Sequence, residues 1–322
     1  MARWCTRFIA VLAAMSLVAR AKEAQTPPTH TFSPAGDSTA SRAEDAHRDL
    51  ETNAVWQGVL SDASKQGLSV LDIRPIGKRT QSARWAVVMG KSVQGSDKPY
   101  KEISDITLRM YVKEGTNYRF VSSKGPLIDP RFEDWPASSI ELQCLDLNND
   151  GLDEVILIQD RVGASWLPGC AFVFMVRSNG LVPVGTITSH YDIQIGDIEG
   201  DRHYEITSTY AIGTKMPHFE QPRWTDYYGY DGTQMVLVNN RLSWQFLEWP
   251  AILTRVLDAY PDDPELLFYL GDSYRILGRD QEAARAFTKA GLLGYRTPAT
   301  RATHTGIEIR QDARPNVVPP RR

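Results

Sequence analysis

Residues 68–244 constrain the fold most, because they form short runs rich in Val, Ile, Thr, Tyr and Phe that are broken by Gly, Pro, Asn and Asp. This pattern is typical of many short β-strands joined by tight turns. Because Gly and Asn tolerate the positive φ of hairpin turns, a run that ends at such residues predicts a β-hairpin. Three runs do so: 107–112 before Lys113-Glu114-Gly115, 172–176 before Ser178-Asn179-Gly180, and 227–230 before Asp231-Gly232.

The three turn glycines indicate an internal repeat. Gly115, Gly180 and Gly232 are 65 and 52 residues apart, and one acidic loop falls in each interval. A period of this size favours propeller blades or a related array of β-hairpins. We therefore expect a mainly β protein with a propeller-like or related repeat architecture, preceded by a short helix over about residues 49–66.

The first acidic loop, residues 146–154, reads DLNNDGLDE and predicts a calcium site. Calcium takes six to eight oxygen ligands at about 2.3–2.6 Å. The loop offers side-chain oxygens and one carbonyl at suitable intervals, from Asp146, Asn148, Asp150, the carbonyl of Leu152, and Glu154. An EF-hand is excluded because position twelve is Leu157 and the flanking residues are typical of strands. An acidic β-turn without an ion is the alternative.

The second acidic loop, residues 197–205, reads DIEGDRHYE and keeps acids at matching places. Its candidate ligands are Asp197, Glu199, Asp201 and Glu205. Arg202 replaces the turn glycine and adds a positive charge. A non-glycine residue in a left-handed turn costs roughly 1 kcal/mol or more, so this loop either binds a second Ca²⁺ or keeps only the turn.

The segment 146–158, written DLNNDGLDEVILI, resembles the cation-binding repeat of FG-GAP and VCBS proteins, including integrin-type propeller blades. Residues 197–205 are similar to a second copy, 51 residues further on. The resemblance covers roughly residues 107–240 and implies ions that are mostly structural. In the integrin relatives of this family, ligands bind on an adjacent face.

Residues 264–295 show helical periodicity in two pieces separated by Leu277-Gly278-Arg279, and they resemble one tetratricopeptide repeat. Residues 252–260 resemble the second helix of an earlier repeat. One and a half repeats fall short of the three or so that an independent solenoid needs. We therefore expect this helical module to dock on the β domain, as a structural cap or oligomer contact or as a peptide-binding groove.

The N-terminus predicts export. Arg3 and Arg7 precede an apolar run over residues 8–19 and the small-residue pattern Ala19-Arg20-Ala21, which is typical of a secretory signal peptide. The run is too short to cross a bilayer. The predicted organisation is a signal peptide at 1–21, a disordered tether at 22–47, the β domain at 48–247, the helical module at 248–295 and a disordered tail at 296–322.

Charge and cysteine content narrow the compartment and the partners. Loss of the three signal-peptide arginines leaves 33 basic against 39 acidic residues, which disfavours a nucleic-acid or anionic-membrane partner. After the signal peptide no segment is long and apolar enough to span a bilayer, so we expect no membrane insertion. Two cysteines, Cys144 and Cys170, remain in a compartment that permits oxidation, so a disulfide between them is predicted. A pair of buried thiols is the alternative.

No motif for metal-dependent, nucleophilic or phosphate chemistry stands out among the six histidines or the glycine-rich segments. The sequence therefore favours an exported, periplasmic or extracellular, noncatalytic binding or scaffold protein that is stabilised by calcium and has a protein or saccharide partner. A set of aromatic residues around 219–230, together with Trp166, could form a ligand surface or fill the core. The alternative function is a secreted saccharide-active hydrolase or lyase, which would need two carboxylates about 5–9 Å apart.

Overall fold

The structure is a computed structural model, and it describes residues 56–77, 84–94, 101–114, 117–128, 136–161 and 168–295. All of these residues belong to one compact unit, Ala46–Arg322. The predicted signal peptide, tether and tail lie outside the described residues. Within the described part, the chain is mainly β with a few helices, as predicted.

The strands form three antiparallel sheets, each built from four strands that are consecutive in the chain. Sheet 1 contains β1 (Ser69–Ile76), β2 (Arg84–Gln94), β3 (Lys101–Glu114) and β4 (Asn117–Lys124). Sheet 2 contains β5 (Ser139–Leu145), β6 (Glu154–Asp160), β7 (Gly169–Arg177) and β8 (Gly180–Ser189). Sheet 3 contains β9 (Ile195–Gly196), β10 (Glu205–Ala211), β11 (Arg223–Tyr230) and β12 (Met235–Leu237).

The sheets pack face to face in chain order. One apolar cluster joins Val88 and Leu108 of sheet 1 to Leu157 of sheet 2, and another joins Ile156 of sheet 2 to Ile206 of sheet 3. Sheet 2 is thus covered on both faces, which is why β6 reads as an almost continuous apolar run with six successive buried residues. Alternation of apolar and polar residues is needed only where one face of a strand meets water.

Helices cover the two outer faces of the stack. Helix α1 (Trp56–Lys65) packs on sheet 1, where the ring of Trp56 stacks on Tyr118 at a centroid distance of 4.6 Å. At the other end of the stack, sheet 3 packs against the C-terminal helices through Trp224 and Leu266. Within the described residues the three sheets do not close into a barrel or a propeller ring. Because helices bury both terminal faces, the stack does not need to close on itself.

The three predicted hairpins are confirmed as β3–β4, β7–β8 and β11–β12. Each joins the third and fourth strands of its sheet, so the repeat inferred from the turn glycines corresponds to one sheet per repeat. In the second hairpin Arg177 pairs with Gly180, whose φ of 145° favours glycine. Gly115, in the first hairpin, lies outside the described residues.

The C-terminal part contains α2 (Trp249–Ala259), α3 (Pro264–Ile276) and α4 (Asp280–Leu292), in agreement with the predicted helical segments. Helix α3 begins at Asp263, whose carboxylate accepts hydrogen bonds from the N–H groups of Glu265 and Leu266. The chain then turns at Gly278, where φ is 72°. In the described part of the chain, each helix is too short or too polar to cross a membrane.

The predicted disulfide between Cys144 and Cys170 is wrong. Cys144 lies on β5 and Cys170 on β7, with β6 between them. Two strand spacings separate their backbones by roughly 10 Å, whereas a disulfide requires Cα atoms within about 7 Å. The register adds a further offset along the strands, because Cys144 lies opposite Val155 and Cys170 lies opposite Gln159. The two thiols belong to the apolar cluster between sheets 1 and 2.

Candidate cation-binding loops

The two acidic loops occupy the same place in successive sheets. The first loop (residues 146–154) joins β5 to β6, and the second loop (residues 197–205) joins β9 to β10. Each is the first connection of its sheet. The corresponding connection of sheet 1, residues 77–83, contains neither Asp nor Glu. Only sheets 2 and 3 therefore carry an acidic loop at this position.

The first loop is folded around the carboxylate of Asp146. Its Oδ1 accepts a hydrogen bond from the N–H of Asp150 at 3.0 Å, and its Oδ2 accepts one from Gly151 at 2.7 Å. The Oδ1 of Asp150 accepts from the N–H of Leu152 at 2.8 Å. The loop turns at Asn149 and Gly151, with φ values of 57° and 88°. Short-range caps of this kind explain why Asp, Asn and Gly recur at these positions.

The second loop repeats this geometry. Asp197 accepts from the N–H groups of Asp201 at 3.0 Å and Arg202 at 2.9 Å, and Asp201 accepts from His203 at 2.9 Å. The turn residues are Gly200 and Arg202, with φ values of 75° and 68°. Arg202 therefore adopts the left-handed conformation that Gly151 has in the first loop, as the sequence alignment of the two loops predicts.

A buried glutamate closes each loop where the next strand begins. Glu154 is 2% exposed and its Oε2 accepts from the N–H of Leu147 at 3.0 Å. Glu205 is 0% exposed and its Oε2 accepts from Ile198 at 3.1 Å. The two carboxylates thus have the same backbone partner, seven residues earlier in the chain. Each retains an oxygen, Oε1, that can bind a further group.

The first loop contacts all three sheets. Gly77, directly after β1, donates its N–H to Asp153 Oδ2 at 2.6 Å. Tyr204, in front of β10, donates its N–H to the carbonyl of Leu147 at 2.9 Å. Gly232, in the β11–β12 turn, lies against the side chain of Asn148. A change in the first loop is therefore transmitted directly to the packing of sheets 1 and 3.

Negative charge accumulates in the first loop. Among the described residues, no Lys or Arg forms an ion pair with its four acids, Asp146, Asp150, Asp153 and Glu154. Burial, followed by the charges of Asp150 and Asp146, raises the pKa of Glu154 to about 7. Burial, followed by the charges of Glu154 and Asp150, raises the pKa of the neighbouring Tyr230 to about 12, so its hydroxyl remains protonated.

Asn148 presents an oxygen without a partner to this loop. Its Nδ2 donates to Asp150 Oδ2 at 3.2 Å, while its Oδ1 is shielded from solvent and makes no hydrogen bond. The opposite amide orientation would place two oxygens at that separation, so the observed orientation is favoured electrostatically. A buried carbonyl oxygen without a donor is rare in proteins and fits a bound cation.

The predicted ligands of the first loop, Asp146, Asn148, Asp150, Leu152 and Glu154, lie in one continuous turn. Several of their oxygens are engaged by N–H groups, and among the described residues no group of three or more His, Cys, Asp or Glu side chains is arranged to hold a metal ion in its present rotamers. Binding of an ion would require side-chain rotation within the loop, which its exposed rim permits.

The second loop differs by a basic residue that sequence reasoning missed. Arg241 follows β12; its Nε lies 2.5 Å from Glu199 Oε2, and its Nη2 bonds to Glu205 Oε1. Arg241 is 36 residues from Glu205 in the chain. No local spacing rule could connect the two, because they meet only through the pairing of β10, β11 and β12.

The aromatic residues around positions 219–230 are not brought together as a ligand surface. Trp224, Tyr228 and Tyr230 are buried in two apolar clusters of the core, whereas Phe219 is 85% exposed on a separate turn. The buried Asp226 accepts hydrogen bonds from the Trp224 Nε1, from Asn239 Nδ2 and from the hydroxyl of Tyr210. Trp166 lies outside the described residues.

Comparisons of the chain with family models, with curated proteins and with solved structures find no match. The resemblance of residues 146–158 to FG-GAP and VCBS repeats therefore rests on the loop motif and stays a prediction.

Proposed function

We propose that this chain is an exported, noncatalytic binding or scaffold protein whose β domain is stabilised by a Ca²⁺ ion in the first loop. The observation that carries the proposal is the Oδ1 of Asn148, which is shielded from solvent and has no hydrogen-bond donor. The loop around this oxygen contains four acids. A hard cation can bind such an oxygen in place of the missing hydrogen-bond donor. Calcium suits a set of carboxylate, amide and carbonyl oxygens in a flexible loop.

The charge of the first loop supports the same conclusion. Like charges held a few ångströms apart oppose the compact turn, and a divalent cation removes that repulsion. The ligands would be the side chains of Asp146, Asn148, Asp150 and Glu154 with the carbonyl of Leu152. In the second loop an internal cation already offsets part of the acidic charge, because Arg241 pairs with Glu199 and Glu205.

The position of the first loop suggests what the ion does. The loop contacts the end of β1 through Asp153 and the start of β10 through Leu147, so an ion that orders it also orders the junction of the three sheets. We infer that the sheets are blade-like repeats of the FG-GAP and VCBS type, and that the tetratricopeptide-like helices cap the last one. The loop carboxylates already serve backbone N–H groups, which favours a structural over a catalytic role.

Calcium titration of chelator-treated protein by calorimetry tests the proposal. We expect about one saturable site per chain with a dissociation constant of about 10⁻⁴ to 10⁻³ M, the range of extracellular modules. Glu154→Gln keeps an oxygen for the Leu147 N–H but removes the charge, and should abolish binding. The control is Asp231→Asn in the adjacent turn, which keeps the acceptor for the Thr233 and Gln234 N–H groups and should leave binding intact.

Two results would overturn this function. Absence of saturable binding at 10 mM calcium would refute the proposed calcium site. This concentration is about tenfold above the weakest expected dissociation constant. Release of reducing sugar from envelope polysaccharides by the purified protein would refute the noncatalytic assignment.

A further inference from the structure

The second loop already contains a cation of its own. Its backbone geometry matches that of the first loop, and Glu205 occupies the position of Glu154. The guanidinium of Arg241 bridges two acids of this loop, Glu199 at 2.5 Å and the fully buried Glu205. In the first loop, by contrast, the described residues supply no basic partner for Glu154. The two loops therefore share a backbone geometry and differ in whether a basic side chain pairs with their acids.

We propose that Arg241 serves as the built-in cation of the second loop and excludes a metal ion from it. A guanidinium keeps its positive charge in proteins and presents several donors in a planar fork, so a single side chain can satisfy two carboxylates. The Arg241 side chain is 40% exposed and occupies Glu205 Oε1, the carboxylate oxygen that a metal ion would otherwise use. Arg202 adds a second positive charge to the same loop.

This arrangement assigns different roles to the loops. In the second loop an internal residue permanently pairs with two of the acids, whereas the junction at the first loop depends on the calcium concentration. Only the comparison with a calcium-dependent first loop rests on the proposed function. The contacts of Arg241 are independent of any assumption about the first loop. It predicts that the wild-type chain binds one calcium ion, and that removal of Arg241 exposes a second site.

The test uses the full mature chain with the first loop disabled by Glu154→Gln, so that any remaining calcium binding reports on the second loop. Calorimetry with calcium, and luminescence with terbium as a calcium probe, should find no site in Glu154→Gln. Adding Arg241→Gln to the Glu154→Gln variant should create about one calcium site. Its affinity should exceed that of any residual binding by about tenfold or more, which corresponds to a binding free-energy difference of about 1.4 kcal/mol or more. A further Arg202→Gly change, which restores the counterpart of Gly151, should tighten that site again.

Arg241→Lys is the matched control, because it keeps one positive charge while losing the planar fork. It should leave the calcium stoichiometry at the wild-type value and still lower the melting temperature. It also remains informative if Arg241→Gln does not fold, since a second calcium ion bound by the Lys variant would overturn the proposal.

Two other outcomes would also overturn it. One is a site in Glu154→Gln that is lost with Asp201→Asn, since this would show that the second loop binds calcium beside Arg241. The other is a folded Glu154→Gln/Arg241→Gln protein that binds no calcium. Failure of the wild-type chain to bind calcium refutes the proposed function alone, because the gain of a site on removal of Arg241 is measured in a background without the first loop.

Discussion

Neutralising one aspartate in each loop should separate a calcium-dependent loop from one that is independent of calcium. Asp150 and Asp201 both use Oδ1 to accept the N–H two residues further on, at 2.8 and 2.9 Å. An asparagine keeps that acceptor and removes one negative charge. Both side chains are exposed at the rim of their loops, so Asp150→Asn and Asp201→Asn form a matched pair with small effects on packing.

The size of the effect follows from binding to the folded state alone. A ligand stabilises by RT ln(1 + [L]/Kd), which for 1 mM calcium and a constant of about 10⁻⁴ to 10⁻³ M gives roughly 0.4–1.4 kcal/mol. For a domain of this size each kcal/mol shifts the melting temperature by about 2–4 °C. We therefore expect calcium to raise the wild-type melting temperature by about 1–5 °C relative to chelator.

The assay is thermal unfolding followed by circular dichroism, with each variant measured in chelator and in 1 mM calcium. Asp150→Asn should lose most of the calcium-dependent shift, because it removes a negative charge from the ligands of the first loop. Asp201→Asn should keep most of it, since Arg241 already occupies two acids of the second loop, Glu199 and Glu205. An unchanged wild-type curve on chelation, or an equal loss of the shift in both variants, would refute the reasoning.

Three further predictions concern the cores and the cysteines. Gly271→Ala should destabilise the protein by about 1–3 kcal/mol in urea unfolding, because its Cβ would lie 2.7 Å from the Phe287 ring. The control Gly291→Ala, which has open space around it, should be neutral or slightly stabilising. Equal effects of the two changes would contradict the packing of α3 on α4. Burial raises the pKa of Glu265, so the wild type should lose more stability than Glu265→Gln as pH rises from about 4.5 toward that raised pKa. Parallel melting-temperature profiles from pH 4 to 8 would disprove this. Peptide mapping without reductant should find no cross-link between Cys144 and Cys170, and a linked peptide would show that the register of β5, β6 and β7 is different.

Features that depend on neighbouring residues could be predicted from the amino-acid sequence alone. The three hairpins follow from runs of β-forming residues that end at Gly or Asn, because few other residues adopt the backbone conformations of tight turns. The fold of both acidic loops follows from side-chain acceptors that reach N–H groups between two and seven residues away. The start of α3 at Asp263-Pro264 follows from local capping. The correspondence of the turn glycines to one sheet each is also readable from spacing alone.

The contacts between residues of different sheets could not be predicted from the sequence and are defined by the tertiary structure. Gly77 and Asp153 are 76 residues apart, and Glu205 and Arg241 are 36 apart, so their contacts depend on strand register and on the stacking of whole sheets. The separation of Cys144 from Cys170 depends in the same way on the position of β6 between their strands. The open stack, closed at each end by helices, likewise follows from burial of apolar faces. Burial is a collective property of distant segments, whereas turn and capping preferences act within a few residues.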